Sequence, residues 1–212
     1  MEANGDGAKA RRGDLFRLGL ILATLAFDQA TKYLARLKYS LPDGDPDYFK
    51  VTHVIGEWFQ FRLVYNAGAA FGMKPQSVLP FLHPTLFYSL FSAVAILVLF
   101  FYYRKLGANE AWQKSGVALI LSGAFGNLID RIQFHKVTDF IDVGLPNGLR
   151  WPTFNIADSC VCVGVALILA APLLTGKAQA AVPAGDASDG ATDATSSSPT
   201  QPPPGSESSA IP

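Results

Sequence analysis

Charge is scarce in this chain. Of 212 residues only 16% are Asp, Glu, Lys or Arg, against roughly 25% in an average soluble domain, and half are hydrophobic. Acids and bases cancel, 17 against 17, so there is no basic field to recruit nucleic acid. Cysteine is almost absent. Cys160 and Cys162 are the two in the chain, and two positions apart on a helix they point to different faces. They do not bridge each other, and no CxxC or Cys/His cluster marks a metal site. His53, His83 and His135 share no partner pattern and read as exposed or interfacial filler. No metal and no cofactor is expected. The composition is that of a small integral membrane protein.

What the chain does have is long apolar runs. A bilayer core of about 30 Å needs about 20 helical residues, and four stretches approach or reach that length: Leu15 to about Ala35, about Leu79 to Tyr103, about Ser115 to Ile129, and Phe154 to about Leu174. The first is interrupted by Arg17, Asp28 and Lys32. It does not read as a cleaved signal peptide, being too long, with misplaced polar residues and no small-residue cleavage site. The expectation is an all-α membrane protein of four transmembrane helices with a small β element outside the membrane.

Four spans put both termini on one side. Basic residues tie between the two sides. The N-terminal cluster Lys9, Arg11, Arg12 and the tight Arg104/Lys105 turn favour cytoplasmic termini. The β element is expected at about residues 40–76. From Trp58 to Tyr65, Phe59, Phe61, Leu63 and Tyr65 alternate with Gln60 and Arg62, the pattern of a strand. Val51 to Ile55 is a second candidate, and Asn66 to Gly72 carries turn chemistry. The sheet is expected to lie on the outer face of the membrane. Residues 130–152 read as a second outer loop. The domain organisation that follows is a cytoplasmic segment over 1–13, a membrane domain over 14–175 and a disordered cytoplasmic tail over 176–212, too rich in Ala, Ser, Pro and Gly to form a core.

The polar residues of the apolar segments gather at one end. Asp28 is near the outer end of span one; Asn127, Asp130 and Arg131 are at the outer end of span three; Asp139 follows nine residues later; Asn155 and Asp158 open span four. Carboxylates at membrane depth cost free energy unless something uses them, and two that meet can share a proton and act as an acid/base pair. Plainer roles compete. Asp28 and Lys32, four apart, can pair as a support beneath a site. Asp130 can close the end of span three, while the fork of Arg131 suits carbonyl groups. Asn66 and Asn155 can be a turn residue and an N-cap. Ser122 and Gly126 can permit close helix packing. Asp142 is chemically equal to Asp139; it can be a solvated loop acid, and spacing does not choose between them. The residues alone leave an acid/base enzyme and a proton-coupled carrier both open.

Five blocks carry a resemblance. DQATK at 28–32, YNAGAAFG at 65–72, GAFGNLIDR at 123–131, VTDFID at 137–142 and FNIADS at 154–159 resemble, in order, the signature blocks of lipoprotein signal peptidase (signal peptidase II). The resemblance implies a bacterial inner-membrane aspartic endopeptidase with its site near the periplasmic face. It implies as substrate a prolipoprotein whose lipobox cysteine carries diacylglyceryl, cut on the N-terminal side of that cysteine, with membrane lipid as the surrounding partner. It implies Asp139 and Asp158 as the catalytic pair, which favours Asp139 over Asp142. Asn66, Asn127, Arg131 and Asn155 match motif residues that line the family's substrate site.

Overall fold

The computed structural model describes residues 3–40, 50–67, 83–146 and 148–175. Most of the expected Asn66–Gly72 turn, the start of span two and the whole tail lie outside them. In chain order the elements are α1 (Ala3–Tyr39), β1 (Thr52–Ile55), β2 (Phe59–Asn66), α2 (Pro84–Lys105), α3 (Ala111–Phe134), β3 (Val137–Val143) and α4 (Ile156–Leu174).

The helices are turned inside out relative to a water-soluble bundle. On α1, Leu15, Phe16, Leu18, Leu22, Phe27, Leu34 and Leu37 are exposed, whereas Arg17, Asp28 and Lys32 are buried. The same holds on α2, where Leu90, Phe91, Leu97 and Val98 face outward. Exposed apolar faces around a polar interior suit lipid as solvent, because charges in hydrocarbon must turn inward and find partners. Three helices, α2, α3 and α4, are long and apolar enough to cross a bilayer. At 37 residues α1 is roughly 55 Å long. It begins well before Leu15, at Ala3, although the preceding residues include Gly5, Gly7 and Gly13, which weaken a helix interior. These features are those of a multi-pass membrane protein.

α3 is the central helix, packed against each of the others. Its contact with α4 runs over glycines. A Cβ on Gly116 would lie 2.6 Å from the Gly164 carbonyl, one on Gly164 would lie 2.5 Å from the Gly116 carbonyl, and one on Gly123 would overlap the Ala157 carbonyl. Small residues let two backbones approach where no hydrophobic effect drives them together. Gly126 clears room on the other side, for Asp28.

β1, β2 and β3 form one antiparallel sheet in that order. The expected β element is there, but it is not confined to the connection between the first two helices. Its third strand comes from the segment expected to be a loop. VTDFIDV hid its strand character because both of its faces are buried: Asp139 falls in the register of Val137 and Ile141, so no clean alternation of apolar and polar survives. Beyond β3 the chain doubles back, and Phe154 pairs with Ile141, with Phe154 N–H donating to the Ile141 carbonyl at 3.0 Å. That bridge sets Asn155, the first residue before α4, beside Asp139.

Candidate active site

The site assembles between the C-terminal third of α1 and the last turns of α3, where α4 begins and β3 passes. The start of α4 is built by its own sequence. Asn155 is the N-cap: its Oδ1 accepts the Asp158 N–H at 3.0 Å, and Asp158 Oδ2 accepts the Asn155 N–H at 3.1 Å. This reciprocal capping box pins the Asp158 carboxylate at the head of the helix. The remaining oxygen, Oδ1, accepts the Asn127 side-chain amide from α3 at 2.8 Å.

Asp139 is reached from the other side of Asn155. Asn155 Nδ2 donates to Asp139 Oδ1 at 2.7 Å, and Asn66 Nδ2, from the end of β2, donates to Oδ2 at 3.1 Å. Asp139 is only 2% exposed. Burial, and then the nearby charge of Asp158, push its carboxyl up to about 7, since both effects disfavour a second negative charge. The two aspartates that the sequence singled out are therefore brought together, linked through one asparagine and electrostatically coupled.

Beneath them lies a buried ionic layer. Lys32 is fully buried, with Nζ 2.9 Å from Asp28 Oδ2, 3.5 Å from Asp130 Oδ2 and 2.9 Å from Asn127 Oδ1. Asp28 Oδ1 in turn accepts the Ala157 N–H at 2.8 Å, satisfying a donor of the first turn of α4. Asp130 Oδ2 accepts the Thr138 N–H of β3 at 2.8 Å. The expected Asp28–Lys32 pair is present. Asp130 does more than end a helix, because it joins α1, α3 and β3.

The asparagines differ from the simplest substrate-binding picture. Asn155 is fully buried, and its amide also reaches Asn127 Oδ1 at 3.1 Å and the Thr138 carbonyl at 3.3 Å. Asn127 and Asn155 spend their hydrogen-bonding groups on Lys32, on each other and on the aspartates. Arg131 is engaged less tightly. It lies 5.8 Å from the centre of the Tyr88 ring, and Nη1 donates weakly to Ser92 Oγ at 3.5 Å and to the Asn127 carbonyl at 3.4 Å.

Asp142 is not a solvated loop acid. It is fully buried, 2.8 Å from Arg62 Nε, 2.9 Å from Arg150 Nε and 2.7 Å from Gln60 Nε2. Strand alternation sends it to the sheet face opposite Asp139, where it ties β2, β3 and the β3–α4 connection. Sequence reasoning also missed Arg36 and Gln29. Arg36 stacks 4.4 Å from the Phe134 ring and donates to Thr138 Oγ1 at 2.8 Å. Gln29 donates to Asp28 Oδ2 and to the Gly126 carbonyl, each at 3.1 Å. One turn beyond Lys32, Arg36 lies on the same helix face, the one signal that would have found it. Among the described residues no group of His, Cys, Asp or Glu is arranged to hold a metal ion.

A helical membrane protein with two coupled carboxylates at one end of its bundle has the parts of a hydrolase. Residues 20–174 match the model of the family described as signal peptidase (SPase) II. The chain is 37% identical over 158 residues to a lipoprotein signal peptidase of Syntrophotalea carbinolica, covering 74% of this chain and 91% of that one. It is 39% identical over 149 residues to one from Geobacter sulfurreducens, covering 70% and 86%. Two solved bacterial membrane enzymes, at 2.3 and 1.9 Å resolution, superpose with a TM-score of 0.61 each, at 27% and 28% identity, covering 77% and 74% of this chain and 90% and 92% of theirs. The chain belongs to the signal peptidase II family, and is a protease.

Proposed function

We propose that this protein is an aspartic endopeptidase that removes the signal peptide from prolipoproteins, with Asp139 and Asp158 as its acid/base pair. The observation that carries the reading is the coupling of the two carboxyls through Asn155. Burial and then Asp158 raise the Asp139 carboxyl to about 7, well above the ordinary carboxylate range, which favours its protonated form. One ionised and one protonated carboxyl are what water-mediated peptide hydrolysis needs. The ionised member takes a proton from water, and the neutral member donates a hydrogen bond to the scissile carbonyl. The water oxygen attacks, and the acid then delivers its proton to the leaving amine.

The substrate that suits the site is a prolipoprotein whose lipobox cysteine carries diacylglyceryl, cut on the N-terminal side of that cysteine. Lipid tails of the substrate then stay among the exposed apolar helix faces while the peptide passes the sheet. Arg131, near both aspartates and less tightly bound than the asparagines, is the residue suited to a substrate carbonyl or ester. Asn66, Asn127 and Asn155 orient the dyad at the edge of the substrate site.

The membrane in question is the bacterial inner membrane, crossed by all four helices with both termini cytoplasmic. The aspartates then sit near the periplasmic face, where a translocated precursor presents its cleavage site. A carrier would need ionisable groups through the membrane depth. None lies between Arg17 and Asp28 on α1, or between Lys114 and Asp130 on α3. The testing experiment is cleavage by the purified protein of a lipobox peptide with and without diacylglyceryl on its cysteine. Release of the signal peptide from the modified form is expected, and no cleavage of either form would refute the reading.

A further inference from the structure

Lys32 does not touch either aspartate, yet its position decides how one of them is held. An ammonium group donates and never accepts. With Nζ 2.9 Å from Asn127 Oδ1, the Asn127 amide has one sense: oxygen toward Lys32, nitrogen toward Asp158. Its Nδ2 then donates to Asp158 Oδ1 at 2.8 Å. Asn155 is fixed in the same way. Its oxygen accepts the Asp158 backbone N–H, so its nitrogen faces Asp139.

Counting hydrogen bonds does not separate the aspartates. Among the described residues each oxygen of each carboxyl accepts one N–H. The surroundings do separate them. Asp158 sits in the first turn of α4, at the positive end of the helix dipole, and a single asparagine separates it from the Lys32 ammonium. Asp139 lies on a strand and is buried more deeply; Lys32 favours a charge there as well, but less than burial and Asp158 oppose it. Among the described residues the other charged or titratable groups around the pair are Asp28 and Arg36 on α1, Asp130 and Arg131 on α3, and Tyr88 on α2 against Arg131. Asp28 and Asp130 are both engaged by Lys32 itself, and Arg131 adds a cation near both aspartates.

We propose that Lys32, acting through Asn127 and together with the N-terminus of α4, holds the negative charge of the dyad on Asp158 and leaves the proton on Asp139. Lys32 is thus a positioning residue, and Asp158 is the base that receives the proton of the attacking water. The inference rests on the dyad reading above.

Its test does not need turnover. The dipeptides Asp-Phe and Asp-Ser each occur once in the sequence, at 139–140 and 158–159. Aspartate labelled with 13C, combined with 15N-phenylalanine or 15N-serine, therefore reports each carboxyl separately by NMR in the lipid-reconstituted full chain. At pH 6 the Asp139 carboxyl should show the protonated shift and Asp158 the carboxylate shift. The reverse assignment in the wild-type protein would overturn the proposal whatever any variant does. Lys32→Gln keeps a donor toward Asn127 and removes the charge, so the Asp158 midpoint should rise by at least about one pH unit, while Lys32→Arg should largely restore it. Should Lys32→Gln leave Asp28 unpaired and fail to fold, the wild-type assignment alone decides the proposal. An unmoved Asp158 midpoint in folded Lys32→Gln would make Lys32 a packing element only. Normal cleavage by Asp139→Asn would instead sink the dyad reading, and leaves the NMR assignment standing.

Discussion

Asn155 donates to Asp139 at 2.7 Å with the same side chain whose oxygen caps Asp158 at 3.0 Å. One residue thus serves a helix N-terminus and the distance between two carboxyls. Asn155→Ala removes a cap worth about 1 kcal/mol, a small loss for a membrane bundle. It also frees both aspartates, so turnover should fall by roughly a hundredfold or more. Thermal unfolding and cleavage rates measured on the same preparation would separate the two effects. A variant with a lowered melting temperature and unchanged turnover would remove Asn155 from the site.

Asp142 should behave unlike Asp139, although both belong to one motif. Asp142→Asn breaks pairs with Arg62 and Arg150, whose side chains are 33% and 24% exposed. Breaking a fully buried pair costs 3–5 kcal/mol. Partial exposure of the arginines reduces this to about 2 kcal/mol. The folded fraction should drop on mild heating, with the rate per folded molecule little changed. Asp139→Asn should do the opposite. A stable Asp142→Asn protein without activity would place Asp142 in the chemistry.

The pH dependence follows from Asp139. Its carboxyl stands near 7 in the folded protein, above its unfolded value of 3.8. The unfolded chain therefore releases this proton first as pH rises. The stability that Asp139 contributes is full below pH 4 and is lost as pH climbs through about 7. Activity should fall over the same alkaline limb, because the acid loses its proton. Rates of lipobox-peptide cleavage between pH 5 and 9 test this, and a rate still rising through pH 8 would argue against Asp139 as the acid.

Much of this site was legible in the sequence, and the reasons differ residue by residue. Asp28, Lys32, Asn127, Asn155 and Asp158 stood out because a polar residue in an apolar helix is costly and hence conspicuous. Asp142 stayed undecided because β3 is buried on both faces, which erases the alternation that would have revealed a strand. Arg36 was hidden by its place near the end of a span, where a basic residue looks ordinary. Ser122 and Gly126, the small residues conspicuous on α3, meet α1 at Thr24 and Asp28; the glycine seam between α3 and α4 was not visible, since Gly116, Gly123 and Gly164 acquire meaning from their facing helix.

That seam gives a further prediction. A methyl on Gly123 meets the Ala157 carbonyl, one residue from Asp158. Gly123→Ala should push α4 away, cost about 1–3 kcal/mol as overpacking does, and lower turnover by displacing Asp158. The same change at Gly19, where a Cβ has open space around it, should leave both unaltered. Equal behaviour of the two variants would show that close helix approach does not set the site.

The central claim is that Asp139 and Asp158 act as a pair, and the most direct measurement is single-turnover cleavage of a diacylglyceryl-modified lipobox peptide by Asp139→Asn and by Asp158→Asn. Each should lose about a thousandfold or more per folded molecule while still inserting. Turnover within about tenfold of wild type in either one would contradict the account.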